Sequence, residues 1–282
     1  MAITAKDVQT LREMTGVGMM DCKKALTEAE GNMDKAVEIL REKGLAASQK
    51  KAGRIAAEGM AYATVVNGVG VVVEVNAETD FVGKNEKFVD FVKGVAAVVA
   101  ANKPADLDAL MALSYGNGRT VQEEQQEMVL VIGENIKVRR FAFFTDGISV
   151  PYVHAGGKIG VLVNLETGLT AEQVETVGKD VAMQIAAASP LAVSAEGLNP
   201  EVVEHEREVY RQKAREEGKP EQIIEKIAEG AVKKFCKDVC LLDQLYIRDD
   251  KMTISDLIKG AAKTIGEPIT VVRFVRIQLG AE

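Results

Sequence analysis

Alternating apolar and polar positions in the middle of the chain predict two β-hairpins, each followed by a helix. Apolar residues occupy every second position on both sides of Asn67-Gly68, and an Asn-Gly pair between such runs is a strong hairpin signal. The second predicted hairpin turns at Gly156-Gly157. Helical spacing of apolar residues follows each hairpin, over roughly 85–101 and 171–188. The pattern therefore predicts two similar α+β units with antiparallel sheets.

The two units are related by an internal duplication. A shift of 90 residues places Tyr62 on Tyr152 and keeps the Gly-Val pair eight positions later in register. A second match, at an offset of 133 residues, aligns IGENIKVRRF at 132–141 with IGEPITVVRF at 265–274. Apolar residues alternate in this segment, so it predicts a final strand in each unit.

The second unit contains an insertion, because the two offsets differ by 43 residues. The inserted chain predicts two charged amphipathic helices joined at Gly218-Lys219-Pro220, with Pro220 at the first position of the second helix. An antiparallel helical (coiled-coil) hairpin over 199–238 is the expected geometry. The apolar residues that mark the predicted buried side of the second helix are Ile223, Ile224, Ile227, Val232 and Phe235.

The first 45 residues predict three short helices. Thr4 is the expected N-cap of the first, and Gly44 is the expected C-cap of the third. A unit of this size resembles the ubiquitin-associated (UBA) three-helix fold, whose members usually bind other proteins. The Ala-rich segment that follows is expected to be a helical linker, with Lys50, Lys51 and Arg54 on a solvated face.

The predicted fold is therefore α+β, with an N-terminal three-helix UBA-like module, a duplicated core and an inserted helical hairpin. The expected units are the UBA-like module at 1–45, the linker at 46–59, core half 1 at 60–145, core half 2 at 146–198 and 239–282, and the hairpin at 199–238.

Composition and charge narrow the class of partner. The net charge of −7 and pI near 5.2 argue against a protein that grips phosphate backbones, and they fit a protein partner or a small ligand. No apolar run is long enough to span a membrane, and the charged N-terminus is not a secretory signal. The three cysteines form no metal-like or disulfide pattern. We expect a cytoplasmic protein with no nucleic-acid partner and no membrane association.

The sequence contains no recognisable catalytic motif. GVGMMD at 16–21 lacks the third glycine of a dinucleotide fingerprint, and HAGGKIG at 154–160 lacks the frame of a phosphate-binding loop. The two histidines form no HExxH motif. We therefore expect no enzymatic activity, no metal and no cofactor.

An apolar pair in a polar loop is the most unusual local feature. Phe81 and Val82 lie in NAETDFVGKNEKF at 76–88, between a predicted strand and a predicted helix. In one interpretation, Thr79 or Asp80 caps the helix and Phe81 folds back on it as a hydrophobic staple. In the other, Phe81 is an exposed wedge for a partner, with Asp80 beside it as an acceptor.

Segments along nearly the whole chain resemble the elongation factor Ts family. They are TGVGMMDCKKAL at 15–26, KKAGRIAAEG at 50–59, ETDFVGKNEKF at 78–88, IGENIKVRR at 132–140, YVHAGGKIGVLV at 152–163 and GKPEQIIEKIAEGAVKKF at 218–235. The resemblance implies a factor that binds the GTPase elongation factor Tu, in its GDP-bound and nucleotide-free states, and promotes GDP release. It leaves open a dimer of heterodimers.

The resemblance also implies which residues contact the partner. Those of the exchange element, beside the partner's Mg²⁺ and phosphate region, are Thr79, Asp80, Phe81 and Val82. Those of the N-terminal module, at the partner's nucleotide-binding domain, are Arg12, Met19, Met20 and Lys23. Those of core half 2 are His154 and, as a weaker candidate, Ile247. The alternatives are core positions for the two methionines and a turn-stabilising role for His154.

Gly83 departs from the family pattern, where alanine is expected. The chain also ends soon after its last predicted strand, without the C-terminal helix that some members add. The alternative function is a ubiquitin-like-binding or scaffold protein that uses the three-helix module.

Overall fold

The computed structural model describes residues 3–281. Its N-terminal module consists of three helices, α1 (Ala5–Thr15), α2 (Met19–Glu28) and α3 (Met33–Lys51). Thr4 caps α1 as expected, because its hydroxyl accepts from the Asp7 amide and its own amide donates to the Asp7 carboxylate. The module has its own apolar core, which includes Leu11, Leu26 and Leu40.

Helix α3 does not end at Gly44. The helix continues through Gly44 to Lys51, and the chain between Lys51 and the first strand, which begins at Glu58, is not helical. Gly44 is buried against another helix, where an added Cβ would lie 3.4 Å from the Gln126 carbonyl oxygen. The glycine therefore permits close helix packing instead of terminating the helix, and only the first part of the predicted linker is helical.

The first α+β unit contains one three-stranded antiparallel sheet, in the order β1-β2-β3. Asn67 and Gly68 form the tight turn of the first hairpin, both with positive φ, as a two-residue turn of this kind requires. The elements of this unit are β1 (Glu58–Val66), β2 (Val69–Ala77), α4 (Glu86–Asn102), α5 (Leu107–Ala112), α6 (Val121–Ile132) and β3 (Lys137–Phe144).

The second unit repeats this arrangement with a sheet in the order β4-β5-β8. Its elements, with the inserted helices and a small extra hairpin, are β4 (Ile148–His154), β5 (Ile159–Glu166), α7 (Ala171–Ala188), α8 (Pro200–Glu216), α9 (Glu221–Val239), β6 (Leu245–Tyr246), β7 (Asp249–Thr253), α10 (Ile254–Ile265) and β8 (Thr270–Gln278). The repeat at offset 133 extends further upstream than the sequence match, because α10 corresponds to α6. The predicted α+β class with antiparallel sheets is confirmed.

The two sheets pack face to face, with helices on their outer faces. In β2 and β5, alternate residues contact the covering helices, whereas Val72 and Leu162 lie in the cluster between the sheets. Both faces of these strands are therefore covered, which explains their nearly continuous apolar sequences. Gly70 and Gly160 allow the close approach, since a Cβ on either would lie within about 3 Å of the opposite unit.

The register of the two hairpins differs despite the duplication. Tyr62 pairs with Val73, whereas Tyr152 pairs with Val161. The first turn contains two residues and the second four, so the sequence match of the two tyrosines does not extend to their cross-strand partners.

The inserted helices α8 and α9 form an antiparallel pair. Proline occupies the first position of α8, but Pro220 is the N-cap of α9, one residue before the expected place. Ile224 and Val232 are buried as predicted, whereas Ile223 and Ile227 are exposed. A pair of helices covers only a narrow stripe of each partner, and these two residues lie outside it.

Candidate partner-binding site

The segment between β2 and α4 presents Phe81 to solvent. Its side chain is 80% exposed, although the neighbouring Val82 is only 5% exposed and lies in the core of the first unit. Helix α4 is capped by Asn85, whose side-chain oxygen accepts from the amides of the first turn. The interpretation of Phe81 as a staple, with Thr79 or Asp80 as the cap, is therefore wrong.

Hydrogen bonds to the α6–β3 loop hold the start of this segment. The Thr79 amide and hydroxyl donate to the Glu134 carboxylate, at 3.0 and 2.7 Å. Glu78 accepts from the Asn135 amide at 2.6 Å and pairs with Arg54 at 3.3 Å. Thr79 and Val82 thus anchor the segment, and Val82, at 5% exposure in the free protein, offers little surface for the partner contact expected of it.

Two of the basic residues before β1 also belong to this anchorage. The Lys51 ammonium donates to the Gly133 carbonyl oxygen at 2.6 Å, and the Asn135 side chain donates to the Arg54 carbonyl oxygen at 2.9 Å. Desolvation by burial lowers the pKa of Lys51. The expectation of a solvated face is therefore wrong for Lys51, which is partly buried, whereas the Arg54 side chain is exposed as expected.

Gly83 brings the Phe81 segment against the first residues of β1. It lies in a short 3₁₀ turn, Val82–Lys84, where an added Cβ would lie only 2.8 Å from the Gly59 carbonyl oxygen. Glycine at this position therefore permits a closer backbone contact than alanine does. Its effect is to seat the turn behind Phe81.

The β4–β5 turn of the second unit packs against the same part of β1. The Ala61 amide donates to the Gly157 carbonyl oxygen at 2.8 Å, and Lys158 pairs with Glu58 at 2.6 Å. The hydrogen bond to Glu58 raises the pKa of Lys158, and the negative charge of Asp80 adds to this. Asp80 is exposed, and the start of β1 contacts both candidate segments, through Gly59 to Gly83 and through Ala61 to Gly157.

His154 ends β4 and is exposed at this turn. Its ring Nδ1 lies 3.1 Å from the Tyr152 hydroxyl, and its carbonyl oxygen accepts from the Gly157 and Lys158 amides. The backbone of His154 thus closes the turn, while its ring stays at the surface.

The N-terminal module contacts the first turn of α4. The Lys87 ammonium donates to the Gly16 carbonyl oxygen, at 3.4 Å, in the loop between α1 and α2. Met19 and Met20 are 46% and 64% exposed, so the alternative of core positions for them is wrong. Arg12 and Lys23 are exposed as well. The structure therefore places these four residues on the module's surface, with Gly16 between Arg12 and Met19 at the contact with α4.

Ile247 belongs to a different part of the surface. Its side chain is 49% exposed on the β6–β7 hairpin, and its amide donates to the buried Gln184 of α7 at 2.9 Å. These contacts join it to α7 and not to β1.

The residues that hold the site from a distance, chiefly Glu134 and Lys158, were not predicted from the sequence. Glu134 lies in the repeated IGE motif, which was the available signal, but its partner Thr79 is 55 residues away. Among residues 3–281, no cluster of His, Cys, Asp and Glu has the makings of a metal site, and no helix is long and apolar enough to cross a membrane.

Comparison with known proteins identifies the family. The family described as Elongation factor TS matches residues 78–281. The chain is 51% identical to Elongation factor Ts of Syntrophotalea carbinolica, over 99% of this chain and 94% of the relative. The chain belongs to the elongation factor Ts family. It is 50% identical to the Lawsonia intracellularis member, over 100% of both chains, and 49% identical to a Clostridium perfringens member, over 99% and 93%.

Family membership makes the protein a translation elongation factor. The relatives match the three-helix module together with the rest of the chain, so the module is part of the family's architecture. The alternative of a ubiquitin-like-binding or scaffold protein relied on that module alone.

Proposed function

We propose that the protein binds the GTPase elongation factor Tu and promotes release of its GDP and Mg²⁺, so that GTP can rebind. Exposed Phe81 is the observation that carries this proposal. A large apolar side chain at 80% exposure, on a segment tied to the core on both sides, has the properties of a preformed anchor for a protein partner. The family to which the chain belongs supports the choice of partner.

The proposed activity is heterotropic coupling and requires no bond chemistry, so the protein is not an enzyme in this proposal. The factor binds best to a state of the GTPase whose nucleotide site is distorted, and GDP binds best to the undistorted state. By linkage, each ligand weakens the binding of the other by the same factor. The partner is therefore bound in both its GDP-bound and nucleotide-free forms, in the cytoplasm, where translation takes place.

Each surface has a distinct role in the proposal. Phe81 and Asp80 enter the region of the partner's phosphates and Mg²⁺, with Thr79 and Val82 as their anchors. Arg12, Met19, Met20 and Lys23 bind the nucleotide-binding domain. His154 binds a distal domain of the partner, and Ile247 offers a separate contact on the same core half.

The test is GDP release from elongation factor Tu loaded with fluorescent GDP and chased with unlabelled GDP. We expect the release rate to rise with the concentration of the protein and to reach a plateau. The protein without the GTPase should show no saturable binding of labelled GDP. A release rate independent of the protein's concentration contradicts the proposal. Light scattering of the complex distinguishes a one-to-one complex from a dimer of heterodimers.

A further inference from the structure

The residues that follow β8 cross from the second α+β unit to the first. The Leu279 amide donates to the Lys158 carbonyl oxygen at 2.9 Å, which keeps it on the second unit. The Gly280 amide donates to a Glu74 carboxylate oxygen of β2 at 2.8 Å. The Ala281 carbonyl oxygen accepts from the Arg140 guanidinium of β3 at 3.0 Å. We call residues 279–281 the crossing segment.

Glu74 is the residue of the first unit that accepts the hydrogen bond from the Gly280 amide. Its side chain is fully buried, and it is paired with Arg140 at 2.6 Å and Arg139 at 3.2 Å. Asn76 donates to the same carboxylate at 3.0 Å. A buried carboxylate is tolerated only when its hydrogen bonds are completed, and the Gly280 amide supplies one of them. The crossing segment is therefore built into a buried polar cluster.

The fit at Gly280 is tight. Its φ is +73°, and an added Cβ would lie 2.5 Å from the Ala57 carbonyl oxygen, just before β1. This is the stretch of chain that leads into the start of β1, where Gly59 contacts Gly83 behind Phe81. The crossing segment thus contacts the support of the Phe81 segment on one side and the turn that carries His154 on the other.

We propose that Gly280, Glu74 and Arg140 are positioning residues that fix the His154 turn relative to the Phe81 segment, so that both engage one GTPase molecule at the same time. This inference rests on the proposed function. Two contacts on one rigid frame bind more tightly than two independent ones, because the first contact raises the effective concentration of the second. Loosening the frame removes that advantage without removing either contact.

The test compares Gly280→Ala with Gly218→Ala in the GDP-release assay. Gly218 has nearly the same φ, +71°, in the loop of the helical hairpin, but an added Cβ there meets nothing within 4 Å. The control therefore carries the same backbone strain without the contact. We expect Gly280→Ala to raise the concentration for half-maximal release about tenfold, and Gly218→Ala to leave it unchanged.

Coupling between positions separates positioning from general destabilisation. Where the frame is intact, His154→Ala should weaken exchange, and in the Gly280→Ala background the same change should have a smaller effect. Additive effects of the two substitutions, with both variants folded, overturn the proposal. If Gly280→Ala does not fold, Arg140→Gln and Arg139→Gln provide a second pair of variants. Arg140 donates to the crossing segment as well as to Glu74, whereas Arg139 pairs with Glu74 and not with the crossing segment.

Amide hydrogen exchange tests the frame without the GTPase. In Gly280→Ala, the amides of residues 280 and 61, which donate to Glu74 and Gly157 and so join the two units, should exchange faster, while amides within each sheet keep their protection. Unchanged exchange at both amides contradicts the proposal. If the wild-type protein does not accelerate GDP release from elongation factor Tu, the proposed function is overturned. That result is separate, because the hydrogen-exchange measurement remains a valid test of the frame.

Discussion

Replacing Phe81 with alanine should separate partner binding from folding. An aromatic side chain buries roughly 150–250 Å² when covered, and Phe81 is 80% exposed in the free protein. A partner can therefore cover on the order of 120–200 Å² of it, which is about 3–5 kcal/mol at ~25 cal/mol per Å². Alanine retains part of that area, so we expect a loss of about 2–4 kcal/mol in the complex, or roughly thirty- to several-hundredfold.

The stability of the free protein should change little when Phe81 is replaced with alanine. The Phe81 side chain contributes little to the core, so Phe81→Ala should lower the free energy of unfolding by less than about 1 kcal/mol. Phe88, seven residues later and fully buried, provides the contrast, since Phe88→Ala should cost about 3–5 kcal/mol. Asp80→Ala should have a milder effect on the complex and should not be additive with Phe81→Ala, because neighbours share one contact region.

Two measurements decide the matter, namely denaturant unfolding of the free protein and GDP release from elongation factor Tu. Leu191→Ala is a suitable control for exchange, because Leu191 is also a large apolar residue, 60% exposed, in the second α+β unit. The reasoning is refuted if Phe81→Ala weakens exchange no more than Leu191→Ala does. It is also refuted if the loss of exchange merely follows a loss of folded protein.

Three further perturbations address the rest of the molecule. Replacing residues 199–238 with a short Gly/Ser linker should leave a cooperative thermal transition and substantial exchange activity, and loss of the transition would show that the hairpin completes the core. Arg12→Ala or Lys23→Ala should raise the concentration for half-maximal exchange by about two- to tenfold, as exposed polar contacts do, with the maximal rate unchanged; a collapse of the maximal rate argues against this. Burial raises the pKa of Glu74, but hydrogen bonds from Gly280, Asn76 and Arg140 outweigh it and lower that pKa below 4.5. The stabilisation that Glu74 contributes should therefore be fully present above that pH and be lost as acid protonates its carboxylate. Glu74→Gln should remove part of this pH dependence of the free energy of unfolding, measured by urea titrations at pH 3–7.

The repeated strands were predictable because their signal is local. A period of two, with an Asn-Gly turn, determines which face of each strand is buried, and the duplication provided a second, independent instance. The helix boundaries after each hairpin were predicted to within about one or two residues for the same reason.

Features that depend on distant partners were not predictable. Glycine is typical of a helix end, but Gly44 lies inside α3, where its lack of a side chain permits packing against Gln126. The choice between a staple and a wedge for Phe81 depended on which residue caps α4. The cap is Asn85, four residues after Phe81. The anchors of the site, such as Glu134 on Thr79, join segments far apart in sequence, and no periodicity records such a contact.

The link between Glu74 and Gly280 has a consequence for the order in which the protein is made. The two residues are separated by 206 positions. At a synthesis rate of about 5–20 residues per second, Glu74 is added to the chain roughly 10–40 s before Gly280. During that interval the Glu74 carboxylate has no crossing segment to complete its hydrogen bonds, and water must serve instead. The buried carboxylate on the central strand β2 therefore receives its last hydrogen bond from the protein only after the last strand is synthesised.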